Sequence, residues 1–503
     1  MTEIQSEIKK LASYALEKKL ISTLEYSYSI NLLLDILELD EFIDDGREYH
    51  DVNLEETLSH ILDYCHEKGI LKENSVVYRD LLDTRIMNCF TPRPEEVANT
   101  FRSIYQEDPK KATEYFYNLS VNSDYIREYR IKKDLNWKTA TPYGDIDITI
   151  NLSKPEKDPK AIAAAKLQKQ TSYPKCLLCK ENMGYRGTLS HPARQTIRYI
   201  PLNLSGENYF MQYSPYSYYR EHCIVFNAEH IPMVINRKTF DHLLSFVSYL
   251  PHYMLGSNAD LPIVGGSILT HDHYQGGSYI FPMFKAKDVF SVCFEGYPEI
   301  KASYLYWPLS VIRLRGKSKE DMIDLSDKIL GCWRKYTDEE SFIYAYSDET
   351  PHNTITPIVH MENGEFVMDL TLRNNITTTE YPLGLYHPHQ EYWNIKKENI
   401  GLIEVMGRAI LPSRLKNEMT MIASSIKEGK DISDDKELVK HAAWLSSFKS
   451  RFSPKQSMEE IESILKEEIG KTFNKVLECA GVYKQDEKGY QGLRRFVDFV
   501  NQN

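Results

Sequence analysis

The sequence lacks the positive charge that marks many nucleic-acid-binding proteins. Its 503 residues include 61 Lys and Arg against 72 Asp and Glu, which gives a formal charge of −11. General nucleic-acid binding needs a basic face that neutralises phosphates, so we expect no nucleic-acid partner. A small anionic substrate remains compatible, because a local basic pocket can lie on an acidic protein.

Long apolar segments are also absent from the sequence. The first residues, MTEIQSEIKKLASYALEKKL, are charged throughout and contain no apolar stretch typical of a secretory signal. No apolar run approaches the ~18 residues that would predict a membrane-spanning helix. We therefore expect no membrane partner and a cytoplasmic location, in which thiols stay reduced.

Only two of the eight cysteines lie close together in the sequence. Cys176 and Cys179, in CLLCKEN, have the spacing that supplies half of a tetrahedral zinc site. The same spacing also suits a redox pair, or arises by chance. Candidates for the other two ligands are His230, in NAEHIP, and His271. His222 is the rival to His230, although its position at a strand start favours a local hydrogen bond.

The order of the predicted elements indicates an α+β protein. Ile4, Ile8 and Leu11 recur at helical spacing near the start, whereas later runs such as TIRYIPLNL and EFVMDLTLR are typical of strands. NIGLIEVMGRAILP is predicted to be helical. The predicted regions are a helical N-terminal region (1–130), two halves whose element orders resemble each other (131–299 and 300–428) and a helical tail (429–503).

The stretch PIVGGSILTHDHYQGG contains a candidate catalytic group. SILT favours a strand, so we predict that His271, His273 and Gln275 lie at alternate strand positions and share one face. A neutral imidazole is a nucleophile at pH 7, and an amide can donate to a phosphate oxygen. The upstream glycines permit close approach of backbone N–H groups to an anion. The alternative to a catalytic role is a structural one, in which both histidines are packed and hydrogen-bonded within a strand.

A second His-x-His pair, in LYHPHQEYW, is a look-alike. Gln390 follows His389 directly, so a strand would turn the amide to the opposite face. Pro382 and Pro388 disfavour a central strand and predict a loop. We therefore assign the nucleophile to the first pair and leave open a substrate contact through His387 or His389.

Several motifs together resemble one enzyme family. CLLCKEN, EHCIVFNAEHIPM and GGSILTHDHYQGG are similar to the galactose-1-phosphate uridylyltransferases of the histidine-triad superfamily. HPARQTIRYIPL, SPYSYYREHCIVF and IKKENIGLIEVMG resemble their second, Gram-positive-type family, over about Asp83 to Pro412. The resemblance implies histidine-triad-like antiparallel sheet with helices. It also implies the Leloir-pathway exchange of UMP between UDP-glucose and galactose 1-phosphate through a covalent uridylyl-histidine.

The same resemblance implies partners, a cofactor and roles for individual residues. UDP-glucose, UDP-galactose and hexose 1-phosphates would bind, zinc would be structural, and a homodimer is one candidate assembly. The implied residues are the nucleophile His273, the phosphate-binding Gln275, the zinc ligands Cys176, Cys179, His230 and His271, the phosphate turn Gly266 and Ser267, and the sugar or phosphate contact Lys397.

The sequence departs from the better-known first family at its second metal site. The matching strand, FVMDLTLRNN, offers Thr371 and Arg373 in place of two histidines, so that metal site is in doubt although His360 lies nearby. Arg373 with Asn374 could instead bind a phosphate or hexose hydroxyls, and a structural salt bridge of Arg373 is an equal alternative.

Two other functions remain open at the level of sequence. One is a histidine-triad nucleotide hydrolase or phosphorylase, against which the presence of Gln275 in place of a third histidine counts. The other is a non-catalytic, zinc-stabilised protein that binds UDP-sugars. Retention of both the nucleophile and its amide neighbour disfavours this second alternative.

Overall fold

The computed structural model describes residues 3–152, 172–266 and 268–503. Ser267, a predicted phosphate contact, therefore lies outside the described residues. The described chain falls into two compact units. Unit 1 contains residues 3–133 and 172–231, and unit 2 contains residues 134–152, 232–266 and 268–503.

Helices dominate both ends of the described chain. None of the described helices is both long enough and apolar enough to cross a bilayer. The helices are α1 (Glu3–Glu17), α2 (Tyr26–Leu37), α3 (Leu54–Glu67), α4 (Val76–Asn88), α5 (Pro94–Glu107), α6 (Pro109–Asn122), α7 (Glu128–Ile131), α8 (Arg237–Tyr249), α9 (Lys319–Trp333), α10 (Leu402–Val405), α11 (Arg414–Glu428), α12 (Ala442–Ser446), α13 (Met458–Ala480) and α14 (Glu487–Gln502).

Strands fill most of the middle of the chain. They are β1 (Leu135–Thr141), β2 (Gly144–Ile150), β3 (Ile200–Leu204), β4 (Glu207–Tyr213), β5 (Cys223–Asn227), β6 (Met254–Gly256), β7 (His273–Gly277), β8 (Asp288–Val292), β9 (Lys301–Leu305), β10 (Val311–Gly316), β11 (Tyr346–Ser347), β12 (Thr350–Pro351), β13 (Asn353–Glu362), β14 (Glu365–Asn374) and β15 (Arg408–Leu411).

Unit 1 combines helices α1 to α7 with the antiparallel meander β3–β4–β5. Strand β3 alternates buried and exposed side chains, as expected for a strand with one face on a core. Phe101 of α5 meets Phe116 of α6 edge to face, and the Phe116 ring centroid lies 5.1 Å from that of Tyr213 on β4. These aromatic contacts join the helices to the meander in one core.

Unit 2 contains an antiparallel arrangement of seven strands in the order β7–β6–β13–β14–β10–β9–β8. Helices α8 and α9 pack against each other and against β13. The indole N–H of Trp333, at the end of α9, donates to the carbonyl oxygens of Thr354 (3.0 Å) and Arg373 (3.1 Å). This buried donor fixes the helix over the paired strands β13 and β14.

A smaller sheet in unit 2 brings together distant parts of the chain. Strand β2 pairs antiparallel with β1 and parallel with β15. Helix α13 packs on β1, where a Cβ at Gly470 would lie 2.0 Å from Oγ1 of Thr139. Only glycine permits this close approach. The capping box of Ser457 and Glu460 begins α13, as the sequence pattern indicates.

The structure confirms the α+β class and corrects one predicted helix. NIGLIEVMGRAILP forms only the short helix α10, and then continues as strand β15. Gly407, between them, has a φ of +94°, and a Cβ there would lie 2.8 Å from the Trp307 ring. This left-handed turn ends the helix, so the helical periodicity is overridden. The division into four regions stays a prediction.

A buried ion pair provides a test of the strand pairing in unit 2. Arg313 of β10 and Asp369 of β14 are paired residues that are only 3% and 0% exposed, with Nε–Oδ1 and Nη2–Oδ2 distances of 2.6 and 2.8 Å. We expect Asp369→Ala to destabilise unit 2 by about 3–5 kcal/mol, because Arg313 would stay buried without a counter-charge. Urea unfolding measures this change.

The control is Glu320→Ala, which removes one partner of the exposed Arg237–Glu320 pair. Exposed pairs contribute about 0–1 kcal/mol, so its unfolding midpoint should stay close to that of the unmodified protein. Equal midpoints for the two variants would contradict the prediction.

Candidate catalytic and metal-binding sites

The predicted strand through the first histidine pair is only partly correct. Strand β7 begins at His273, whereas residues 268–272 precede it without regular structure and include a bend at His271. Nδ1 of His273 lies 2.8 Å from the carbonyl oxygen of His271. The backbone bend brings the His271 carbonyl within reach of the His273 ring. The β-favouring residues SILT therefore do not extend the strand.

Strand geometry separates the two sides of β7. The hydroxyl of Tyr274 lies 3.0 Å from Nδ1 of His242 on helix α8, and both residues are buried. Successive strand residues point to opposite faces, so His273 and Gln275 point away from α8. The sequence prediction that these two side chains share a face agrees with their strand positions, whereas His271 lies before the strand.

The hydrogen bond of His273 fixes its tautomer. A carbonyl oxygen only accepts, so Nδ1 of His273 carries the hydrogen and donates to His271. In a neutral ring, Nε2 then keeps its lone pair. Burial lowers the pKa of His273 to about 4, so the ring is neutral at pH 7. The result is an imidazole with one nitrogen anchored and the other available as a nucleophile.

The glycine turn before the histidines is closely packed. A Cβ at Gly265 would lie 2.6 Å from two backbone carbonyl oxygens, and a Cβ at Gly266 would lie 2.8 Å from the side-chain nitrogen of Asn258. Asn258 is buried and accepts a hydrogen bond from the backbone N–H of Leu402 (2.9 Å). Glycine is therefore required here for close approach to other parts of unit 2.

The Cys-x-x-Cys turn of unit 1 forms a candidate metal group with a histidine. The Cys176 and Cys179 sulfurs are 3.5 Å apart, and Nδ1 of His230 lies 3.1 Å from the Cys179 sulfur. Neither cysteine is part of a disulfide. The three potential ligand atoms lie within 4.8 Å of one another, which suits a shared metal ion better than an isolated redox pair.

The turn that carries the cysteines is held by Asn182. Its side-chain N–H groups donate to the carbonyl oxygens of Cys176 and Cys179, both at 2.8 Å, and its oxygen lies 2.7 Å from Nε2 of His191. Burial raises the pKa of the Cys176 thiol to about 11. Burial alone therefore disfavours the thiolate, and a bound cation would offset this effect. It is the geometry of the turn that fits a metal.

The remaining histidine candidates occupy different surroundings. His271 belongs to unit 2 and is almost fully buried, and its role as a fourth ligand stays a prediction. His222 packs between the rings of Tyr218 and Tyr219, with centroid distances of 5.6 and 4.7 Å. His360 stacks on Phe284 at 4.2 Å. Burial lowers the pKa of His360.

Arg373 and Asn374 are buried at the end of β14. Arg373 donates to the carbonyl of Ile400 (3.0 Å), and its Nε atom is buried without a hydrogen-bond partner among the described residues. No ion pair of Arg373 is found within the described ranges, so the salt-bridge alternative receives no support. The Asn374 amide donates to the carbonyl oxygen of Tyr344 and to Oδ1 of Asn353, so its buried N–H groups have hydrogen-bond partners.

Two adjacent lysines in the late segment differ in burial. Lys397, the predicted sugar or phosphate contact, is exposed, with its Nζ 4.8 Å from the centroid of the Trp393 ring. Lys396 is buried and forms an ion pair with Glu404 at 2.5 Å. The structure therefore leaves Lys397 accessible and gives Lys396 a structural partner.

The second His-x-His pair lies in a loop, as predicted. His387 is buried, and its Nε2 lies 3.2 Å from Oδ1 of Asn399, whereas Nε2 of His389 lies 3.0 Å from the carbonyl of Leu385. A 3₁₀ turn, Gln390–Tyr392, follows directly. Both rings have protein partners, which is consistent with a role in loop structure.

Comparison with known proteins identifies the family. The family model described as galactose-1-phosphate uridyl transferase, N-terminal domain, matches residues 37–232, and the corresponding C-terminal domain model matches residues 246–438. The chain belongs to this family. Two matching models also fit the expectation of two halves, and the predicted family resemblance is confirmed.

Relatives of the family align over nearly the whole chain. The galactose-1-phosphate uridylyltransferase of Clostridium acetobutylicum is 51% identical over 500 residues, which cover 99% of this chain and 100% of the relative. The enzyme of Fusobacterium nucleatum is 50% identical over 509 residues (99% of each chain), and that of Bacillus subtilis is 46% identical over 506 residues (98% and 97%). No solved structure matches the chain.

The contacts of Asn182 predict a measurable effect on metal binding. Asn182→Ala removes both donors to the carbonyls of the cysteine turn, so we expect affinity for Co²⁺, followed by its thiolate absorption bands, to fall by about 10–100-fold. Asn203→Ala is the matched control, because Asn203 is an exposed residue of strand β3 in unit 1 whose side chain accepts from the backbone N–H of Gly206. Equal Co²⁺ affinities for the two variants would contradict the assigned role.

Proposed function

We propose that the chain transfers a uridylyl group from UDP-glucose to galactose 1-phosphate through a covalent intermediate on His273. Family membership supports the overall exchange, which belongs to galactose metabolism. The observation that carries the assignment of the nucleophile is the 2.8 Å contact between Nδ1 of His273 and the carbonyl of His271. It leaves Nε2 with its lone pair.

The first half-reaction forms a bond between His273 and phosphorus. Nε2 attacks the α-phosphorus of UDP-glucose, and the bond from that phosphorus to the bridging oxygen breaks, so glucose 1-phosphate leaves with the electron pair. The ring becomes positively charged as it forms the uridylyl-histidine. The carbonyl oxygen that accepts from Nδ1–H stabilises this developing charge without rearrangement.

The second half-reaction reverses the chemistry with a different acceptor. A phosphate oxygen of galactose 1-phosphate attacks the uridylyl phosphorus, the phosphorus–nitrogen bond breaks, and UDP-galactose leaves with His273 restored to its neutral form. Burial of His273 disfavours the charged ring, which favours its release from the intermediate. The two steps together predict ping-pong kinetics.

Gln275 and the glycine turn are assigned to phosphate binding. Gln275 lies two residues after His273 on β7, and an amide at that position can donate to a non-bridging oxygen during transfer. Gly266 keeps the backbone free of a side chain in a closely packed turn. Arg373, Asn374 and Lys397 stay predictions as substrate contacts, as do a homodimeric assembly and a cytoplasmic location.

Zinc is assigned to the cysteine turn of unit 1. Two thiolates and an imidazole are ligands that zinc prefers, and Cys176, Cys179 and His230 supply them at short mutual distances. We assign His271 as the fourth ligand, on the strength of the family resemblance and its buried imidazole. The metal would then anchor the backbone whose carbonyl holds His273.

A labelling experiment tests the nucleophile. The unmodified protein, incubated with UDP-glucose labelled in uracil, should retain label covalently until galactose 1-phosphate is added. His273→Ala should retain none, and its exchange rate should fall by roughly 10⁴-fold or more, because the attacking group is gone. His389→Ala, in the look-alike loop, is the matched control and should be labelled normally. Label on the His273 variant would refute the assignment.

Metal analysis tests the zinc assignment separately. A chelator should lower the unfolding temperature of the unmodified protein, because it removes the structural zinc. His271→Ala removes the proposed ligand but keeps the backbone carbonyl that accepts from His273, so the zinc content of this variant should fall. Cys179→Ser should have the same effect. The exposed Cys293→Ser is the control and should retain zinc. Undiminished zinc in both ligand variants would exclude this site.

A further inference from the structure

Unit 1 contains a cavity whose lining residues have no assigned role in the proposed uridylyl transfer. Its volume is about 310 Å³, which falls in the range of small-molecule sites. It lies between helix α4, the turn and helix that follow α6, and the segment 188–196. Leu81, Leu177 and Pro192 contribute to an apolar wall. We refer to it as the α4 cavity.

Most of the charges at the α4 cavity pair with each other. Asp80 accepts from Arg130 (2.6 and 2.9 Å) and from Arg127, and Arg127 also donates to Asp83 at 2.6 Å. Both arginines therefore have carboxylate partners within unit 1. Three of these side chains, Asp80, Arg127 and Arg130, line the cavity, and their hydrogen bonds leave them little capacity for a ligand.

Asp124 is the carboxylate that this network leaves without a hydrogen bond. Its Oδ2 atom is buried and has no hydrogen-bond partner among the described residues, and the Nε atom of Arg127 is 3.6 Å away. The side chain is 4% exposed and contributes to the cavity wall. Burial raises the pKa of Asp124 to about 7. A buried acceptor of this kind calls for a donor.

Tyr125 and Arg194, which line the same cavity, are hydrogen-bond donors. The Tyr125 hydroxyl is also buried without a hydrogen-bond partner in the described ranges, and Tyr125 lines the same cavity. The guanidinium of Arg194 lies 5.7 Å from the centroid of the Tyr125 ring, and no hydrogen bond or ion pair of that guanidinium is found within the described part of unit 1. The cavity thus contains an acceptor beside two donors.

We propose that the α4 cavity binds a small zwitterion with an apolar side chain, of the α-amino acid class. The ligand ammonium would donate to Asp124, and its carboxylate would accept from Arg194 and the Tyr125 hydroxyl. The apolar side chain would lie against Leu81, Leu177 and Pro192. This ligand offers a hydrogen-bond partner to Asp124, Tyr125 and Arg194, whereas a simple anion would give Asp124 no donor and a simple cation would give Arg194 no acceptor.

Three related probes test the proposal on the full, unmodified chain by isothermal titration calorimetry. L-leucine carries both charges, leucinamide lacks the carboxylate, and N-acetylleucine lacks the ammonium. We expect L-leucine to bind at least about tenfold more tightly than either analogue, because each analogue leaves one charged group of the cavity wall without a ligand partner. No binding of L-leucine at about 10 mM, or equal affinity for L-leucine and one analogue, would overturn the proposal.

Single variants then assign each charge. Asp124→Asn should remove the preference for L-leucine over N-acetylleucine, and Arg194→Gln should remove the preference over leucinamide. Asp63→Asn and Arg102→Gln, both in unit 1 and outside the cavity wall, are the controls and should bind as the unmodified protein does. Unchanged preferences in both cavity variants would refute the assigned contacts. If a cavity variant fails to fold, the three probes on the unmodified chain still decide.

Discussion

The candidate catalytic site depends on one hydrogen bond between a side chain and the backbone. The ring of His273 donates from Nδ1 to the carbonyl of His271, two residues earlier. This bond sets the tautomer and limits rotation of the ring, and in the proposed attack on phosphorus it would provide an acceptor for a proton that becomes more positive. Because the acceptor belongs to the main chain, it depends on the bend before β7 rather than on another side chain.

Unit 2 holds that bend in place from two directions. Tyr274 anchors the opposite face of β7 to His242 on α8, and the glycine turn upstream packs closely on Asn258. Asn258 also accepts from the N–H of Leu402, far along the sequence. The His273 ring is thus positioned by buried polar contacts, which tolerate less displacement than apolar packing alone.

The sequence predicted the features that depend on short spacing. The Cys176–Cys179 turn, the alternation of His273 and Gln275, and the loop character of the second histidine pair follow from residue type and local period. His230 lies 51 residues from Cys179, and the family resemblance is what grouped it with the cysteines. Contacts between distant segments could not be predicted in this way. Neither the roles of Asn182 and Asn258 nor the burial of Lys396 beside an exposed Lys397 has a periodic signal. The bend before β7 was missed because strand propensity does not describe the contact between the His273 ring and the His271 carbonyl.

The parallel pairing of β2 with β15 constrains the order in which the protein can be completed during synthesis. Residues 134–152 belong to unit 2 although unit 1 resumes after them, and their sheet needs Arg408–Leu411 as its third strand. The β1–β2 hairpin therefore leaves the ribosome long before its parallel neighbour. Contacts of such high sequence separation form slowly and leave strand edges exposed meanwhile. Between the synthesis of β2 and the synthesis of β15, the exposed edge of β2 can pair with the wrong strand.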